Sequence, residues 1–200
     1  MFEEHGLLDA RIAEIAERAG VSYGSFYHYF DSKEALFREV ALEVDARLRA
    51  PIDIIMARGS GPPPQDRLRA AIREYFEIYR DEARLLGVVE QVSRLDDQVR
   101  VNRDTRQRED SNKVAESIRL LQRRGLADPN IDAMVAAEAL GAMTYRFAEL
   151  WLAHGGVTSD FDTAVDTVSR LFINALGLDA GAPGRRQDRE VVSMELGAAR

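Results

Sequence analysis

The stretch RIAEIAERAGVSYGSFYHYFDSKEAL, residues 11–36, decides how the rest of the chain is read. Ile12, Ile15, Ala16 and Ala19 recur at helical spacing, and the pattern stops at Gly20, a residue that enters the left-handed conformation without steric cost. The spacing predicts one short helix and a tight turn. Val21 then plugs the angle between two helices, and Ser22 is an N-cap whose hydroxyl takes a free backbone N–H of the next helix, predicted over residues 23–29. Two short helices joined by a glycine-containing turn of about three or four residues form a helix-turn-helix. The second helix of such a pair enters the DNA major groove with its N-terminal side chains on base edges.

Three runs in this stretch carry a resemblance: Ile15-Ala16-Glu17-Arg18-Ala19-Gly20-Val21-Ser22, Gly24-Ser25-Phe26-Tyr27-His28-Tyr29-Phe30 and Ser32-Lys33-Glu34-Ala35-Leu36. Together they resemble the DNA-binding signature of the tetracycline-repressor (TetR) family of bacterial transcription regulators. The resemblance covers the first quarter of the chain without a gap; the remainder agrees with the family in length and helical character. It implies an all-α fold with an N-terminal helix-turn-helix DNA-binding domain over residues 1–48 and a helical ligand-binding and dimerisation domain over residues 49–178. The implied partners are a double-stranded DNA operator, a second copy of the chain in a homodimer, and a small-molecule effector of unknown identity.

Family members carry a long first helix across the reading pair, and here Met1 to Gly6 resembles only its final turn and stop. The native protein is therefore expected to begin upstream, with a segment richer in Arg and Lys. Asp9 is expected to cap the next helix. Ala10 and Arg11 stand where the family offers Thr or Ser, so a hydroxyl-to-phosphate contact is lost or replaced by Arg11. Tyr23, Gly24, Ser25 and His28 are the groove-reading candidates, with Ser22, Tyr27 and Lys33 on phosphate. Gly24 lets the helix approach the bases, and Tyr23 offers a thymine methyl an apolar contact plus one hydrogen bond. Phe26, Tyr29 and Phe30 are assigned to the core.

The charge balance pulls the other way. The chain has 27 Lys and Arg against 34 Asp and Glu, a formal net charge of −7, and residues 1–50 carry six basic side chains against ten acidic ones. Because DNA binding draws on cations that release counterions from phosphate, non-specific affinity is expected to be weak. Hydroxyls, backbone N–H groups and helix N-termini also hold phosphate, so a local contact patch remains open.

Other classes find little support. There is no cysteine, hence no disulfide and no thiolate metal site, and His5, His28 and His154 lack ligand spacing. No metal and no cofactor are expected. Nucleophile elbow, phosphate-binding glycine loop and paired metal-ligand histidines are all missing, so no catalytic residue is assigned and the chain is not read as an enzyme. No apolar run approaches the ~20 residues of a membrane span and the N-terminus does not read as a signal peptide; the cytoplasm is the expected location, with no membrane partner.

Downstream, Ser32 caps a long helix with Leu36, Phe37, Val40, Ala41, Val44 and Leu48 on one face, expected to fade between residues 50 and 58 around Pro51. A glycine- and proline-rich loop follows at 59–64. Helices are predicted over 65–79 and 81–95, with Gly87 marking a close approach or a bend. The charged segment 96–113 has two readings: the helix breaks and its charges are solvated, or Arg103 and Arg106 look into a ligand cavity and hold an anionic group. Residues 131–154 are apolar around most of the cylinder and 161–176 repeat near 3.5. These two helices are read as a dimer interface built into a four-helix bundle by two chains, with an ordinary monomeric core as the alternative. Residues 179–200 read as a mobile tail.

The cavity is expected to be lined by Tyr79, Val89, Met143, Phe147 and Trp151 together with Arg103 and Arg106. Two functions follow. One is a ligand-responsive repressor released from a palindromic operator by a small molecule. The other is a helical small-molecule-binding or scaffolding dimer whose reading head is degenerate.

Overall fold

A computed structural model describes residues 1–56 and 61–178. The tail expected at 179–200 and residues 59 and 60 of the expected loop lie outside the described residues. Within them, every regular element is helical: α1 (Phe2–Asp9), α2 (Ile12–Arg18), α3 (Tyr23–Tyr29), α4 (Lys33–Met56), α5 (Pro64–Ser93), α6 (Asp97–Arg123), α7 (Ala133–Ala148), a π-helical turn (Glu149–Ala153) and α8 (Phe161–Leu176). The all-α fold class expected from the resemblance is the one found.

Helix starts follow from capping chemistry. Ser22, Asp96, Asp132 and Asp160 each accept backbone N–H groups from the first turn of the helix they precede, satisfying donors that have no partner inside the helix. The turn between α2 and α3 is set by Gly20, whose φ of +70° is strained for any residue with a Cβ. Asp9 is not a cap: it ends α1, and α2 starts after Arg11 without any side-chain cap. Gly6, with φ 69° and ψ −176°, breaks α1 into two turns, as its reading as a stop requires.

α4 runs through the buried Pro51 and ends at Met56, inside the window expected for its fading. Two expected breaks are absent. α5 is one helix of 30 residues rather than two, since the buried row Leu68, Ile72, Phe76, Tyr79, Leu86, Val89 continues past the exposed charges Arg80 and Asp81. Gly87 sits in open space inside it, so it does not mark a close approach. α6 also runs unbroken through the charged segment, and the chain turns earlier, at Leu95 and Asp96.

The core is continuous from Phe2 to Leu178. Phe37, Phe76, Tyr79, Val44, Val89 and Val165 are its largest fully buried side chains among the described residues. α5 lies at the centre, packed by α4, α1, α8 and the π-helical turn, while α6 bridges α4 and α7. Phe2 meets the Phe37 ring edge-on at 5.2 Å, which ties α1 to α4. The domain boundary expected at residue 48 falls inside α4, so the same helix that begins beside the reading pair also walls the larger helical body.

Candidate nucleic-acid interface and ligand cavity

The α2–α3 pair presents a hydroxyl-rich face. Ser22 Oγ accepts the Ser25 N–H at 3.0 Å and lies 2.8 Å from Ser25 Oγ, so one serine caps α3 and engages the other hydroxyl. Tyr23 and Tyr27, one turn apart, bring their phenol oxygens to 3.2 Å and their rings edge-on at 5.4 Å. Their hydrogen bond raises the Tyr27 phenol above its ordinary pKa. Tyr23 and Tyr27 are 56% and 46% exposed, large apolar surfaces left open beside a cap. A Cβ at Gly24 would meet only Ser22 Oγ, at 3.9 Å, so the position is clear on its outer side. His28 is also exposed. The structure therefore brings Ser22, Tyr23, Gly24, Ser25, Tyr27 and His28 onto one seven-residue helix and its cap. Tyr29 belongs with them in exposure, at 76%, and not with the core: its neighbours Phe26 and Phe30 already fill the space beneath α3.

The cations of this region are mostly engaged. Lys33 does not face outward for phosphate; its ammonium donates to the carbonyls of Leu8 and Ala10 and closes the C-terminal end of α1. Arg18 pairs with Glu4 at 2.7 Å. Arg38, Arg47 and Arg49 reach Asp96, Glu82 and Asp110 on the larger helical body. Arg11 projects with 77% of its side chain exposed, 3.6 Å from Glu14.

A cavity of about 590 Å³ opens between α4, α5, α6, α7 and α8. One wall is apolar, with Leu48, Ile52, Ile55, Leu68, Ile72 and Phe172; the other carries charge. Arg103 and Arg106 both line it, so the reading of a solvated break over 96–113 is corrected. Arg103 donates to Glu90 at 2.6 Å, to Ser93 Oγ at 3.1 Å and to the Tyr145 hydroxyl at 3.1 Å. Burial opposes the Arg103 charge, yet those hydrogen bonds outweigh it and hold the pKa above its usual value; Arg103 in turn lowers Glu90.

Of the remaining expected lining residues, none faces this space. Tyr79 and Val89 are buried in the core behind it. Phe147 and Trp151 pack on each other at 5.5 Å, against Phe76 and Phe161, and line no part of this cavity. Met143 packs against the core without lining the cavity. The side chains that do line it and were missed include Tyr75, Tyr145 and Glu90. Tyr75 lies one helical turn before Tyr79, and the face it occupies could be assigned only with α5 read as a single helix.

The profile described as bacterial regulatory proteins of the tetR family matches residues 1–40. The transcriptional repressor KstR2 of Mycobacterium tuberculosis is 34% identical over 112 residues, spanning 48% of this chain and 52% of that protein. The chain thus matches about half the length of this relative. The regulator BetI of Stenotrophomonas maltophilia is 29% identical over 168 residues, 80% of this chain and 78% of its own. Among solved structures, a putative transcriptional regulator of Pseudomonas aeruginosa superposes with a TM-score of 0.71 at 26% identity, over 90% of this chain and 86% of that one. With residues 1–40 matched by the family profile and 90% of its length superposing on a helical regulator, the chain is similar to the tetR family of bacterial regulatory proteins in its reading pair and shares the fold of such regulators.

Proposed function

We propose that the chain is a cytoplasmic, homodimeric transcriptional repressor that grips a palindromic DNA operator through α3 and lets go when a small molecule fills the cavity. The observation that carries this reading is mechanical continuity. α4 starts at Lys33, whose side chain closes α1 beside the reading pair, and the same helix supplies Leu48, Ile52 and Ile55 to the cavity wall. A ligand that favours one setting of α4 biases the position of α3 through one continuous helix.

Tyr23, Gly24, Ser25 and His28 read base edges in this proposal, and Ser22, Tyr27 and Arg11 hold phosphate. Arg103 and Arg106 line the polar end of the ligand site, Arg103 held by its partners within the wall. Val135 on α7 and Leu171 on α8, 66% and 48% exposed, leave apolar surface for a second copy, as a bundle shared by two chains needs. Repressor names among the matched relatives support the sign of the regulation.

Sequencing of genomic DNA fragments retained by the purified protein tests it. The expected result is an inverted repeat whose half-sites lie ~34 Å apart, one helical turn or a multiple of it. Retention without any enriched repeat overturns it. One observation favours the second reading, a ligand-binding dimer with a degenerate head: most cations of the head are already paired within the chain. Absence of binding even at the lowest salt tested, to genomic and random DNA alike, selects that reading.

A further inference from the structure

Three arginine bridges fasten α4 to α6 and its cap, and they are not alike. Arg38 meets Asp96 at 2.8 Å, away from the cavity. Arg49 meets Asp110 at 2.7 Å and Glu109 at 3.2 Å. Arg106 is held more loosely: its Nη1 donates to the Leu42 carbonyl at 3.0 Å, while its nearest carboxylate, Asp45, stands 3.6 Å away, beyond hydrogen-bond reach.

We propose that Arg106 is a latch between cavity and reading head, and that an elongated amphipathic carboxylic acid opens it by drawing the guanidinium away from Leu42 and Asp45. The inference deepens the ligand-released repressor reading and rests on it for the meaning of the α4 movement.

Of the two arginines on the charged wall, Arg103 is committed to three partners and has little to offer a ligand. Arg106 makes one hydrogen bond, from Nη1, among the described residues and lines the cavity, and a guanidinium has further N–H groups for a planar two-oxygen acceptor. Asp45 and Arg106 are both largely withdrawn from water, where a charge pair that is loosely formed is costly to keep. Burial already pushes the Asp45 carboxyl above its ordinary range. It does so despite Arg103, Arg106 and Arg49 around it, with Asp110 adding to the rise, so the group left behind by Arg106 takes up a proton readily. Ile52, Ile55, Leu68, Ile72 and Phe172 opposite receive the apolar body of such an acid, and the cavity volume lies in the range of small-molecule sites. The leaving contact is a backbone carbonyl of α4 itself, so the ligand's carboxylate and the reading helix's support compete for one cation.

Calorimetric titration of the 200-residue protein with decanoate and with decanol is the test. Wild type is expected to bind the acid about tenfold more tightly than the alcohol, the scale of one charge-assisted hydrogen-bonded pair. Arg106→Gln should bring the two within about twofold, and Asp45→Asn, which removes the competitor, should widen the preference. Arg38→Gln breaks a bridge outside the cavity and should leave the preference intact. Amide exchange over residues 40–48 should rise on decanoate binding in wild type and stand raised already in Arg106→Gln. Equal binding of acid and alcohol by wild type, an undiminished preference in Arg106→Gln, a narrowed one in Asp45→Asn, or unchanged exchange in α4 overturns the latch. A protein that passes these tests yet retains no DNA repeat keeps the latch and defeats the repressor reading; one that selects a repeat and fails them does the reverse.

Discussion

The scarcity of free cations in the reading head sets a number that can be measured. Each phosphate neutralised by Lys or Arg steepens the dependence of log K on log salt by about 0.9. Of the six basic side chains in residues 1–50, Lys33 is turned inward onto carbonyls and Arg38, Arg47 and Arg49 are bound to the larger helical body. Arg11 remains, one for each protomer, which gives a slope of about −2 for a dimer. Arg18 is paired with Glu4, but both side chains are about half exposed, and such surface pairs are worth little. If it swings to phosphate, the slope reaches about −4. A head with all six cations on DNA would instead give about −11. Titration of the enriched operator by fluorescence anisotropy between 50 and 200 mM salt separates these cases: a slope of −2 costs only about fifteenfold in affinity over that range. Arg11→Ala should flatten the slope further. A measured value steeper than −5 on the 200-residue chain refutes the assignment of Lys33, Arg38, Arg47 and Arg49 to intramolecular partners.

Three further outcomes are expected. Phe76→Ala empties a fully buried site beneath Phe147 and Trp151 and should destabilise by about 3–5 kcal/mol, seen as a fall of about 10 °C in the thermal midpoint; Phe76→Leu should cost less. Gly20→Ala should destabilise by about 1–2 kcal/mol through its positive φ alone, since nothing lies within 4 Å of the added Cβ, whereas Gly87→Ala, equally open but helical, should stabilise by about 0.5–1 kcal/mol; paired chemical denaturation curves read both signs. Glu90 is held below the ordinary carboxylate range by Arg103, so its contribution to stability is full above its unfolded pKa and lost as pH falls through the folded one. Asp45, raised by burial, runs the other way, adding stability as pH falls through its raised value. Melting wild type and Glu90→Gln between pH 3.5 and 7 should show their difference shrinking below about pH 4.5, and a constant difference contradicts the Arg103 pairing.

How much was legible in the sequence differs by element. The turn at Gly20, the Ser22 cap and α3 follow from local chemistry, and local chemistry is what a sequence displays. α8 was equally plain, because Val165, Val168 and Phe172 form a strict apolar row. The long helices were harder. Arg80 and Asp81 look like a boundary when the helix is read residue by residue, and only the buried row on either side shows that they merely face outward. The charged run of α6 hid its continuity in the same way, since Arg103 and Arg106 become compatible with burial only through Glu90, Tyr145 and Leu42, partners as far as 64 residues away in sequence. The cavity lining was misassigned for a related reason: aromatic residues such as Trp151 and Phe147 satisfy one another, and no periodicity distinguishes a ring that packs on a ring from a ring that faces empty space.

Pro51 gives α4 an uneven stiffness. A proline in mid-helix removes one backbone bond and crowds the carbonyl four residues earlier, so bending is easiest there. The eighteen residues from Pro51 back to Lys33 make an arm of about 27 Å at 1.5 Å per residue. Pro51 itself touches the cavity. A tilt of about 5° at that joint therefore carries the far end of the arm through roughly 2 Å, comparable to the length of a hydrogen bond to a base. The softest point of the helix thus stands where the smallest rotation travels farthest.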